Sequence, residues 1–104
     1  MNLCVISGTV ENNAILRGKK TKALVFIVAT QYSNGDAESE PMTSHVPCVL
    51  FNPPQDVEEA LTTKGKGMEI ELQGRVNSNR SEGNGEPRSN AEVIVFTRTV
   101  KLGS

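Results

Sequence analysis

His45 is the only histidine in the chain, so any charge-relay or imidazole-metal chemistry would have to be built around it. It precedes a Val-Pro pair in a stretch that reads as a strand, and nothing in the pattern brings a nucleophile beside it. Cys4 and Cys48 match no metal-ligand spacing. They read as two buried thiols acting as small hydrophobes, with a disulfide as the alternative. Gly18-Lys19-Lys20-Thr21 looks like the end of a phosphate loop, but the upstream glycine and the strand-to-helix setting are missing. Asp56, Glu58 and Glu59 fall where a helix would begin, which favours a solvated face at the positive end of the dipole over acid-base chemistry. The expectation is a protein that is not an enzyme and uses no metal or cofactor.

Binding chemistry is better represented. Arg17, Lys19, Lys20 and Lys22 form a basic turn, and Arg75, Arg80 and Arg88 add a thinner second group. Each has two readings: a solvated surface cation, or a phosphate contact that displaces a counterion. Phe51 falls on the outward parity of its strand. It is either a packing residue against a helix or second subunit, or a stacking face for a base. Tyr32 and His45 carry the same choice. Net charge is −1 and the pI about 5.8, which argues mildly against a nucleic-acid partner, although local distribution matters more than the sum.

The elements that would position these side chains are mostly strands. Strand one is expected from Asn2 to Glu11, with extension to Leu16, and carries Gly8 near its middle. Glycine inside a strand marks a bend or a close backbone approach. Gly74 interrupts a later strand, expected from Met68 to Asn79, in the same way. Strand two, Lys22 to Gln31, holds the unbroken apolar run Ala23 to Ala29, so both of its faces should be covered, one by the core and one by a loop or another subunit. Strand three, Thr43 to Phe51, alternates: Val46, Cys48 and Leu50 should face the core, and His45, Pro47, Val49 and Phe51 the outside. Asn52-Pro53-Pro54 opens a short helix with Asn52 as its cap, Val57, Ala60 and Leu61 as its apolar face and Gly65 as its stop. Strand five is expected from Asn90 to Leu102. Ser33 to Met42 and Ser81 to Ser89 read as polar loops. Two bent strands with a helix just before the second point to an all-β, five-stranded OB-fold barrel with one short α-helix between strands three and four, an architecture that often binds single-stranded nucleic acid.

A chain of 104 residues fits one domain, residues 1–102, with Gly103-Ser104 as a cloning remnant. No run approaches the ~20 apolar residues of a membrane span, and the N-terminus shows no basic region followed by an apolar stretch. A cytoplasmic, nucleoid-associated protein is expected.

The pattern resembles the bacterial single-stranded DNA-binding protein family. The matching segments are Asn2 to Val10, Leu16-Arg17, Phe26 to Thr30, Val49-Leu50-Phe51, Lys64-Gly65, Ile70 to Val76 and Glu92 to Val95, in order along the whole chain. The resemblance implies a homo-oligomer, dimer or tetramer, that wraps single-stranded DNA without strong sequence preference. Its binding residues would be Arg17, Lys19, Lys20, Lys22, Tyr32, His45, Phe51, Arg75, Arg80 and Arg88. The chain departs from the family where Asn34, His45 and Ser81 replace tryptophans and Pro47 an arginine, which implies weaker stacking and more electrostatic binding. The 104 residues include no counterpart of the family's disordered acidic tail, which fits either a trimmed chain or a member without one. In length the chain is also similar to the tail-less primosomal replication protein B family, with the segment Ser7-Gly8-Thr9-Val10. That similarity implies a restart assembly factor working mainly through replication proteins.

Overall fold

The computed structural model describes residues 2–32, 41–83 and 86–103. The elements run β1 (Cys4–Val10), β2 (Ile15–Arg17), β3 (Ala23–Tyr32), β4 (Met42–Phe51), α1 (Gln55–Lys64), β5 (Glu69–Gly83), β6 (Glu86–Val95), a 3-10 turn (Thr97–Thr99) and β7 (Lys101–Leu102). Sheet order is β1-β3-β4-β6-β5, and β1 pairs again with β5, so five strands close on themselves. All pairings are antiparallel except β4 with β6. This is an OB barrel.

Closure depends on the two expected glycines. β1 runs against β5 from Cys4 to Thr9 and then transfers to β3 at Thr9 and Val10. Gly8 sits at the transfer, where a β-carbon would overlap the Ala29 carbonyl oxygen and lie 3.0 Å from Val28 Cγ1. β5 leaves β1 at Cys4↔Gly74 and joins β6 at Gly74↔Val95. A β-carbon on Gly74 would overlap the Ile94 carbonyl and lie 2.7 Å from Val93 Cγ1. Only a residue with no side chain lets three backbones meet so closely.

Alternation fills the core. Leu24, Phe26 and Val28 of β3, Cys48 and Leu50 of β4, Ile70 and Leu72 of β5, and Val93 and Val95 of β6 all point inward. Leu61 of α1 is fully buried in the same cluster, with Val57 against it, so the helix plugs one end of the barrel. Among the described residues no buried side-chain polar atom lacks a partner.

Several expected boundaries differ. β1 stops at Val10 and does not reach Leu16. The chain leaves the sheet so that Ala14 N–H can bond Leu61 C=O at 2.8 Å, while Asn13 Oδ1 accepts from the Lys66 N–H at 2.9 Å. Asn52 does not cap the helix. It adopts φ 49°, its N–H bonds the Lys22 carbonyl at 2.9 Å, and Pro54 stands at the cap. Gly65 does stop the helix, standing at its C-cap just after Lys64, but it is right-handed, and Gly67, at φ 84°, supplies the left-handed turn. The final strand breaks at Phe96 into the 3-10 turn, held by Thr99 Oγ1 to Phe96 C=O at 2.6 Å. Residues 81–83 and 86–89 are not loop. β5 and β6 pair out to Gly83↔Glu86, making a long two-stranded ribbon. The expected loop from Ser33 lies outside the described residues as far as 40, and Met42 already belongs to β4. Val49, expected outside, is buried.

Candidate nucleic-acid interface

Opposite residues in a ladder share a face, so the registers assemble the outer surface row by row. One row is Arg17–Ala23–Phe51, across β2, β3 and β4. The next is Ile15–Val25–Val49–Ile94–Arg75, across β2, β3, β4, β6 and β5. A third begins Ile27–Pro47, and a fourth is Thr9–Ala29–His45. At about 4.8 Å per strand, Arg17 and Phe51 stand about 10 Å apart and the second row spans about 19 Å. A nonpolar centre, Val25, Val49 and Ile94, is thus flanked by Arg17 and Phe51 on one side and Arg75 on the other.

This face gathers four of the expected binding residues, Arg17, Phe51, Arg75 and His45. Phe51 is 45% exposed although it ends a core strand. Lys19 and Lys20 are exposed in the turn after β2, where Gly18 at φ 98° reverses the chain. Lys22 belongs elsewhere. It lines a hollow along one side of α1 with Glu58 and Glu59, in an acidic setting. Tyr32 ends β3 opposite Met42, and Arg80 and Arg88 sit opposite Ser89 and Ser81 in the β5–β6 ribbon. The side chains of these three lie outside the described residues, as does all of Asn34.

Three acidic or amide residues on this side were not singled out from sequence. Glu11 follows β1 and pairs its carboxylate with His45 Nδ1. That bond engages the histidine with a protein partner and sets an acid on the face. Glu92 and Asn77 are opposite one another, with Asn77 Nδ2 donating to Glu92 Oε1 at 3.4 Å. The alternation Glu92-Val93-Ile94-Val95 was the available signal, since buried Val93 and Val95 force Glu92 to the other side.

Among the described residues nothing covers the outer side of β3: Val25 is half-buried and Ile27 is exposed. Cys4 and Cys48 are both free, so no disulfide joins them. Burial, with a smaller contribution from nearby Cys4, pushes the Cys48 thiol up from 9.0 to about 12, which keeps it protonated and unreactive. Among the described residues no cluster of His, Cys, Asp or Glu could hold a metal ion, and no helix is long and apolar enough to cross a membrane.

No protein-family model matches the sequence, and no curated protein matches it. Among solved structures, the chain is similar to a Plasmodium falciparum SSB in complex with ssDNA. The TM-score is 0.76, over 98% of this chain and 92% of that one, at 20% identity. The likeness is one of fold.

Proposed function

We propose that this barrel binds single-stranded DNA on its outer face, by contact alone and without strong sequence preference. The observation that carries the reading is the pair of adjacent rows that set Phe51 between Arg17 and Arg75 around a nonpolar centre. Phosphates need cations, and unpaired bases need an apolar or aromatic surface. The rows offer both within the reach of a few nucleotides. The shared fold with an SSB seen on ssDNA supports the reading. Arg17, Lys19, Lys20 and Arg75 would neutralise phosphates, with Arg80 and Arg88 extending the track along the ribbon. Lys22 would contribute least, because Glu58 and Glu59 share its hollow. Phe51 would stack one base, worth about 1–3 kcal/mol. The task would be to hold DNA unpaired and protected during replication, recombination or repair. Farther along β3, outside these two rows, exposed Ile27 would be met by a second copy of the chain.

A second reading has its own observation. The centre of the face is nonpolar and the Glu11–His45 pair brings acid to it, which suits a protein partner in a replication or restart assembly. Fluorescence anisotropy separates the two. The probe is a labelled thymine oligomer of about 35 nucleotides, room for at least two OB folds at about 4–16 nucleotides each. Binding to the oligomer and not to a duplex of equal length is expected. No binding to the oligomer at low salt would leave the assembly reading.

A further inference from the structure

Beyond Cys48↔Val93, β4 and β6 no longer pair, and the β3–β4 and β5–β6 ribbons splay apart. Between them lies a cleft of about 270 Å³. Its lining is mostly apolar, from Val46, Pro47, Val76, Ala91 and Val93, with Glu92 as the acid and the Glu11-paired ring of His45 at its edge. Val76 has the inward parity of buried Leu72 and Gly74, yet it is 42% exposed, because no described residue fills the space in front of it. The volume falls just under the range of drug-sized pockets, about 300–1,000 Å³, and so suits a small flat fragment.

Glu92 is out of place on a surface that meets phosphates. It is half-buried, and the one hydrogen bond it receives among the described residues is the 3.4 Å contact from Asn77. A carboxylate can accept about four hydrogen bonds and donates none. A half-buried anion with spare acceptor capacity, at an apolar slot, calls for a flat ligand with an N–H edge. Every DNA base has one on its Watson–Crick edge, and in a duplex that edge is occupied by the opposite base.

We propose that this cleft seats one unstacked base of a bound single strand, with Glu92 accepting an N–H of its Watson–Crick edge. The inference rests on the binding reading above and deepens it. The cleft is continuous with the outer face through Pro47 and His45, so a strand tracked along the rows can turn one base in. Because thymine N3–H, cytosine N4–H, adenine N6–H and guanine N1–H all qualify, the contact tolerates sequence. It selects for the unpaired state, since pairing removes the donor.

The test compares a thymine oligomer with the same oligomer built from N3-methylthymine, which keeps the ring faces and loses the donor. Affinities are read by anisotropy at one salt concentration for the wild type, Glu92→Leu and Val76→Phe. The wild type should prefer thymine by about fivefold or more, the low end of a good base contact. Glu92→Leu should remove the preference, and Val76→Phe, which fills the slot at an exposed position, should remove it too. Equal binding of the two oligomers by the wild type, or an undiminished preference in both variants, would overturn the cleft contact while leaving binding on the outer face intact. Failure of the wild type to bind thymine oligomer at all would overturn the binding reading and the cleft with it.

Discussion

Replacing Gly8 with alanine should damage the barrel out of proportion to one methyl group. The added carbon would overlap the Ala29 carbonyl oxygen and sit 3.0 Å from both the Ala29 carbonyl carbon and Val28 Cγ1. Carbon contacts settle at about 3.5–4.0 Å, so something must move. Two of the three obstructing atoms are backbone, and they belong to the residue with which Thr9 begins the β1–β3 pairing. Overpacking of this kind costs about 1–3 kcal/mol, and an obstacle that cannot rotate away places Gly8→Ala near 3. Stiffening of the unfolded chain returns up to about 1 kcal/mol, leaving about 2. For a chain of this size that is a fall in Tm of about 8–16 °C. Gly67→Ala is the matched control. A β-carbon there meets nothing within 4 Å, and the cost is only the left-handed backbone, about 1–2 kcal/mol before the same return. Urea unfolding followed by circular dichroism gives both values. Gly8→Ala within about 0.5 kcal/mol of wild type, or no worse than Gly67→Ala, would refute the close-approach argument.

Phe51→Ala should weaken binding to a thymine oligomer by about 1–3 kcal/mol with little change in Tm, since the ring is 45% exposed; anisotropy and thermal melts check the two halves. Lys22→Ala should lower affinity less than Arg17→Ala in the same titration, because Lys22 lines the hollow of Glu58 and Glu59. Cys48 should resist a thiol reagent at pH 8 in the folded protein while half-buried Cys4 reacts first, as mass spectrometry after timed labelling would show. Its folded pKa of about 12 lies above the ordinary 9.0, so its contribution to stability is full below about pH 9 and is lost as pH rises toward 12. Urea midpoints for wild type and Cys48→Ala should therefore converge across that interval.

Much of the barrel was legible because its constraints act through residue type. Gly8 and Gly74 announced themselves as glycines inside apolar strands, and both lie where strands exchange partners. The alternation of Val46, Cys48 and Leu50 against His45, Pro47 and Phe51 fixed the faces of β4, and Leu61 marked the buried side of the helix. Val49 escaped because Val25 and Ile94 stand beside it in its row, a neighbourhood that parity along one strand cannot see. The β5–β6 ribbon escaped because its outer pairs, Arg80↔Ser89 to Gly83↔Glu86, are polar on both strands and follow from backbone register. Asn52 looked like a helix cap, yet its amide was needed by Lys22 C=O across the β3–β4 edge. In the site, the cations and Phe51 could be read from type and strand parity. The side of β6 that carries Glu92 could be read from the same parity, but the pairings of Glu11 with His45 and of Glu92 with Asn77 could not, because the partners are distant in sequence.

Salt dependence tests the outer-face site most directly. Each phosphate neutralised on a single strand adds about −0.7 to the slope of log affinity against log salt. Arg17, Lys19, Lys20 and Arg75 alone give a slope of about −2.8, or about a 50-fold loss between 50 and 200 mM salt, and Arg80 and Arg88 would each steepen it by about 0.7. The measurement is that slope for thymine oligomer with wild type and with Arg17→Ala/Arg75→Ala. The double variant should be shallower by about 1.4 and should fold like wild type, since both side chains are exposed. An unchanged slope in the double variant, or no binding by wild type at 50 mM salt, would contradict a site on this face.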